Sequence, residues 1–231
     1  MKSLKKIIIF MLPLFVIGFT VSTLYKWNYI QHTQHIPDEY HIPYVATGVD
    51  HDGNHIDDGK DILKGAEDYV AHHPKYETLQ PYEDGWTDGN RGSNGDVVAY
   101  ALKNIKLDLH IVINQDIYKN PDAYKGVNTD KDLAFRNPKT QEVFFSRYAL
   151  TLSTDLDNKT EWQAGDFIFF EKNHCAVVTD KVNEKGIRFV IHHFWEHQGG
   201  YFQDVLETGA WGKITGHYRL SERMFSPKTD N

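Results

Sequence analysis

An uninterrupted apolar run, Ile7–Tyr25, constrains this chain most. It holds 19 residues without a charge and follows the basic flank Lys2, Lys5 and Lys6. That is about the length needed to cross a ~30 Å hydrocarbon layer, where only a helix or a closed barrel satisfies its backbone. A basic flank ahead of an apolar run describes both a cleaved secretory signal and an uncleaved anchor. No small-x-small cleavage site follows, Thr20-Val21-Ser22 being the nearest approach, and an anchor is therefore expected. A lipoprotein leader is excluded, because the lone Cys of the chain is Cys175. Tyr25 and Trp27 suit a membrane–water interface. The basic flank stays in the cytoplasm, so the body is expected outside the cell membrane on a single-pass anchor, with secretion after cleavage as the alternative.

Beyond residue 25 the chain carries 22 basic against 32 acidic residues, a net of −10. Neutralising phosphates needs clustered Lys and Arg, so a nucleic-acid partner is not expected. One cysteine also rules out an internal disulfide framework and a Cys-rich zinc site. The length suits one ordinary domain. The expected division is an anchor over 1–25, a polar stalk over 26–45 with Pro37 and Pro43, a domain over 46–225 and a tail over 226–231.

Within the body, Ile62, Leu63, Ala66, Tyr69 and Val70 recur at helical spacing, predicting a helix over Asp58–His72 that stops before Pro74. The Gly- and Asp-rich stretch 83–93 leads into a second helix near Asn94, with Val97, Val98, Ala101 and Leu102 on its buried face. A third helical piece is expected over Asn114–Lys125. After Asn158 the runs turn β-rich: Phe167–Phe170, Cys175–Val178, Ile187–Ile191 and Ile214–Leu220. Helices first and antiparallel strands afterwards make an α+β domain.

Two constellations stand out. Asp50, Asp52, Asn54, Ile56, Asp58 and Asp61 fall at positions one, three, five, seven, nine and twelve of a calcium loop. Its flaw is His55 at position six, which needs φ > 0, and the bland alternative is a polar turn with Asp57 or Asp58 capping the next helix. His174 heads one strand and His192-His193 end the next, so antiparallel pairing brings His174 and His192 together in a base–orienter arrangement. The start of the second helix is where a helix dipole would stabilise a thiolate.

The order of motifs resembles a family of bacterial exported proteins, a domain of unknown function similar to the NlpC-type, papain-like peptidoglycan amidases. The residues that carry the resemblance are Gly92-Ser93-Asn94-Gly95-Asp96-Val97, Trp162-Gln163-Ala164-Gly165-Asp166, His174-Cys175-Ala176-Val177, Ile191-His192-His193 and Gly216-His217-Tyr218-Arg219. It runs from about Val49 to Leu220 and implies a papain-like fold, with N-terminal helices packed on a small antiparallel sheet. It further implies catalytic positions at Asn94, His174 and His192, and a peptide-binding cleft involving Asp96, Trp86, Arg136 and His193. The family's second helix opens Gly-Val-Cys-Thr-Asp-Val, however, and the attacking Cys is Asn94 here. A carboxamide cannot become an anion near neutral pH and offers no covalent route to acyl transfer. Its Asn-x-Asp-x-Arg-Arg segment is altered too, Asp132–Asn137 keeping one basic residue. Ser93 lies one residue early and is expected to point elsewhere, and Cys175, alternating with His174 on a strand, is expected to face the core. The resulting expectation is a catalytically impaired amidase homologue that binds cell-wall peptide or a partner protein. The alternative is an active hydrolase using His174 and His192 with a non-standard nucleophile. Calcium is the one cofactor in question.

Overall fold

The computed structural model describes residues 2–26, 29–30, 32–194 and 201–228, with side chains from Met11 onward. It is an α+β protein. Helix α1 covers Lys2–Lys26 with Pro13 inside it. The body follows as α2 (Asp58–Ala71), the two-residue strands β1 (Lys75–Tyr76) and β2 (Arg91–Gly92), then α3 (Asn94–Lys103), α4 (Leu109–Lys119) and α5 (Pro138–Tyr148). Strands β3 (Leu150–Thr151), β4 (Phe167–Phe170), β5 (His174–Val182), β6 (Arg188–Ile191), β7 (Phe202–Gln203) and β8 (Ile214–Arg219) complete it.

Among the described residues no helix is long and apolar enough to cross a membrane. The first part of the expected run, residues 7–10, falls outside the described side chains, and Trp27 outside the described residues. The expected stalk is instead laid against the body. His35 and Val182 exchange backbone hydrogen bonds at 2.9 and 3.0 Å, the His32 ring meets Asp204 at 3.0 Å, and Ile42 is buried. Backbone donors and acceptors at the end of β5 are thereby paired rather than left to water. The tail is also docked, its Pro227 and Lys228 carbonyls accepting from Lys119, Asn120 and Tyr148; residues 229–231 lie outside the description.

The antiparallel sheet has the order β3-β8-β4-β5-β6-β7. Strands β4 to β7 form a meander, and β8 returns to pair with β4 on its other side. Alternation splits each strand between two cores. Phe167, Phe169, Cys175, Val177 and Tyr218 join α2, α3 and α5, whereas Ile168, Phe170, Ala176, Val178 and Val190 meet Trp162, Val205 and Leu206 on the opposite face. Burial on both faces explains why β4 reads Phe-Ile-Phe-Phe without a polar residue.

Helix α2 ends within a residue of its expected limit, and α3 begins at Asn94 as expected. The third helix differs: α4 runs over Leu109–Lys119, because Asp108 caps its start, and Pro121 begins a separate 3-10 turn. Helix α5 was not expected. Its signal is local, the Asn137 side chain accepting from the Lys139 and Thr140 amides with Pro138 at the first helical position.

Much of the distinctive sequence turns out to join the layers. Asp166, fully buried, accepts two hydrogen bonds from Arg219 at 2.7 and 2.8 Å and meets the His217 ring at 3.0 Å. Gly165 sits at φ 87°, where a Cβ would lie 2.1 Å from the Gly59 carbonyl, so glycine is needed there on two counts. Trp162-Gln163-Ala164-Gly165-Asp166 and Gly216-His217-Tyr218-Arg219 are therefore two halves of one buried clamp that also seats the start of α2.

Candidate functional site

The site is built where α3 begins, beside the end of β6 and the head of β5. Ser93 is the N-cap, and Asp96 reaches back to it. The Asp96 carboxylate accepts from the Ser93 backbone N–H at 2.6 Å and from its hydroxyl at 2.9 Å. Gly95 lets this first turn abut the 3-10 turn Ala134–Arg136, since a Cβ would stand 1.9 Å from the Arg136 carbonyl oxygen. The closely held turn points the Asn94 side chain toward β5.

There Asn94 Nδ2 lies 3.1 Å from His174 Nδ1 and donates to the Asn173 carbonyl at 2.9 Å. His174 Nε2 lies 2.7 Å from His192 Nδ1, and His192 Nε2 lies 2.9 Å from Gln203 Oε1. One set of proton positions satisfies every link: Asn94 donates to His174 Nδ1, His174 donates from Nε2 to His192 Nδ1, and His192 donates from Nε2 to Gln203. Trp211 stacks on the His174 ring at 3.9 Å.

Burial favours the neutral form of His174, His192 and His193. Burial pushes His174 well below the usual 6.5, and the neighbouring rings of His192 and His193 add to the effect. Burial likewise lowers His192 and His193 to about 4, partly opposed by Gln203 at the first and by the Asp96 charge at the second. The unfolded chain takes up protons on these rings near pH 6.5, whereas the folded chain resists until about pH 4. Stability is therefore complete above pH 6.5 and falls as pH drops from there toward 4, by about 3 kcal/mol for a ring shifted this far. Denaturant midpoints at pH 7, 5.5 and 4.5 should show this slope, and His192→Asn should flatten it. Equal slopes in the two proteins would contradict neutral, buried rings.

The other expected residues take different places. His174 and His192 meet as the strand pairing predicts, and Cys175 faces the core, its thiol pushed well up by burial. Ser93 Oγ is committed to Asp96 and does not face His174. Asp96 and Arg136 line no open surface: both are fully buried under α3, joined at 2.6 and 3.0 Å. His193 is buried with Nδ1 3.0 Å from the Tyr69 hydroxyl. Trp86 packs on Tyr100 and Phe135 beneath Lys103, whose ammonium lies 4.0 Å from its ring centre. Asp96 and Arg136 thus take each other as partners instead of facing solvent. Of the expected calcium ligands, Asp50, Asp52 and Asp58 converge. Asn54 Oδ1 accepts from the Ile56 amide, and Asn54 Nδ2 donates to Asp61. Gln203 and Trp211 were missed. Gln203 carries no local signal on its two-residue strand, but Trp211, set between Gly209 and Gly212, is an aromatic in a glycine-rich turn and was open to notice.

Comparisons with known proteins place the chain in a domain family of unknown function. A family model described as Domain of unknown function (DUF1287) matches residues 62–220. An uncharacterized protein of Escherichia coli (strain K12), YijF, is 32% identical over 154 residues, covering 63% of this chain and 72% of the relative. No solved structure matches.

Proposed function

We propose, from the premise that this chain belongs to the DUF1287 family, that its body is a disabled relative of the NlpC-type, papain-like amidases. On this reading it acts outside the cytoplasm by holding cell-wall peptide or a partner protein. One observation carries the proposal: both ring nitrogens of His174 are occupied within the protein, Nδ1 by the Asn94 carboxamide and Nε2 by His192. A thiol at the head of α3 would hand its proton to Nδ1. An amide hands over nothing and also blocks that lone pair from activating water. The layout of nucleophile, base and orienter survives with its first member inert. Ser93 offers no substitute, because its hydroxyl is spent on Asp96.

Binding remains within reach of the site. Trp211 lies against His174, and its buried Nε1–H has no acceptor among the described residues, so a ligand carbonyl that displaces its cover would satisfy it. Helix α1 supports the anchored arrangement. Leu12, Phe15, Ile17 and Phe19 are exposed, a costly surface in water but one that lipid would cover. Thr20 and Thr23 return their hydroxyls to the Val16 and Phe19 carbonyls at 2.8 Å, as a lipid-facing helix requires. The full chain should stay with the membrane fraction through an alkaline wash, and its release would refute the anchor.

The test of function uses the full-length protein in detergent with a fluorescent cell-wall stem peptide. The parent should bind the peptide and leave it intact over hours. Hydrolysis by the parent that is lost in His174→Ala would overturn the reading in favour of a working enzyme. No binding at millimolar peptide would leave no role for cell-wall peptide at this site.

A further inference from the structure

The turn ahead of α2 gathers acids around a carboxylate oxygen that no described residue satisfies. Asp50, Asp52 and Asp58 each present a carboxylate oxygen, and the three lie within 4.8 Å of one another. The chain reaches this shape through Gly53 at φ 74° and His55 at φ 69°, the second being the left-handed histidine that the spacing demanded. Hydrogen bonds within the loop settle most of the acid oxygens. Asp50 accepts from the Gly53, Asn54 and His55 amides, and Asp52 accepts from Asn54. Asp58 is different. It has no exposed surface; its Oδ2 accepts from the His51 amide at 3.1 Å, and its Oδ1, also buried, has no partner among the described residues.

A buried carboxylate with a free oxygen, set beside two further carboxylates, calls for a counter-charge. The described residues supply none. Among the described residues no Lys or Arg pairs with Asp50, Asp52 or Asp58; Lys106 reaches only the Asp52 backbone carbonyl, and the sole ion pair is a 3.8 Å approach of exposed His55 to Asp50. We propose that this turn binds one calcium ion, with carboxylate oxygens of Asp50, Asp52 and Asp58 as its protein ligands and the free Oδ1 of Asp58 as the buried anchor. Two oxygens bound to one ion at about 2.4 Å stand at most about 4.8 Å apart, the limit met here. The donor set is all oxygen and mostly anionic, which favours a hard cation over zinc or copper. No imidazole competes, since the His51 ring stacks on Phe225 at 3.6 Å and His55 points into solvent. Asp50 is exposed and Asp52 half-exposed, so water completes an irregular shell that calcium accepts and magnesium, wanting a strict octahedron, does not.

The ion would fasten the N-terminal side of the domain. Asp57, the next residue back, caps α2 through the Gly59 amide and accepts from Tyr44, Thr47 and Gly48. Holding Asp58 to Asp50 and Asp52 thus fixes the strap over residues 44–49 to the helix that packs on α3. This inference does not depend on the fate of the nucleophile.

The full-length protein, stripped with a chelator and exchanged into detergent, is titrated with calcium chloride by calorimetry and then melted. One ion should bind with a dissociation constant of about 10⁻⁵–10⁻³ M, and saturating calcium should raise the melting temperature more than equal magnesium. Asp58→Asn should weaken binding at least about tenfold, and its metal-free form should melt no lower than the parent, because an uncompensated charge is gone. Asp50→Asn, at an exposed position and keeping an oxygen to accept from the loop amides, should weaken binding by a similar factor. No heat at about 10 mM calcium would overturn the proposal, as would a shift that magnesium reproduces and Asp58→Asn leaves unchanged.

Discussion

Replacing Asn94 with Cys should convert an inert side chain into a reactive thiol and restore peptide hydrolysis. The introduced sulfur would stand at the first position of a ten-residue helix, where the dipole favours an anion. It would also stand beside His174 Nδ1, now 3.1 Å from the amide nitrogen. An ordinary thiol of pKa about 8.5 is only a few per cent ionised at pH 7, so a fall below 7 raises the thiolate fraction about tenfold or more. His174 resists a proton in the parent because burial leaves an imidazolium without a countercharge. A thiolate supplies that countercharge. Iodoacetamide at pH 7 should therefore label the introduced thiol rapidly and leave Cys175 untouched until the protein unfolds. Turnover of the stem peptide should appear with it and disappear when His174→Ala is added. Labelling of both cysteines at similar rates would mean that the surroundings of the α3 start no longer activate a nucleophile.

Arg136→Leu should be the most damaging single substitution under the site, costing about 3–5 kcal/mol in denaturant unfolding. Arg136 grips Asp96 through Nε and Nη2 and gives Nη1 to the Gln80 carbonyl, with both charged groups out of water. Removing the guanidinium strands a carboxylate that keeps only the Ser93 donors. Adding Asp96→Asn removes the stranded charge, so the double variant should recover part of the loss despite lacking two native groups. A single-variant loss below about 1 kcal/mol would show that the pair does not hold the α3 start in place.

Local rules made a good part of this legible. Helix α2 follows from Ile62, Leu63, Ala66, Tyr69 and Val70 at helical spacing before Pro74, and β4, β5, β6 and β8 follow from short β-rich runs between polar turns. The meeting of His174 and His192 also follows, because a strand head and the end of the next antiparallel strand are neighbours. What failed was partner choice. Asp96 and Arg136, which the resemblance placed in a cleft, stand 40 positions apart, and Asp166 and Arg219 stand 53 apart, so neither pairing could be read from local spacing. Gln203 on its two-residue strand, and the docking of the expected stalk through His35 and Val182, were invisible for the same reason: their partners lie far along the chain.

That position 94 carries a carboxamide, which cannot become an anion near neutral pH as a thiol can, follows from the group's own chemistry, and the sequence by itself decides it. Helix and strand positions are nearly as local, since backbone sterics and apolar spacing act within a few residues. Only the tertiary structure decides which charges leave water, that both nitrogens of His174 are taken, and that Asp58 keeps a bare oxygen. Those outcomes depend on which distant groups share one buried volume, and desolvation then forces each to find a complement or go without.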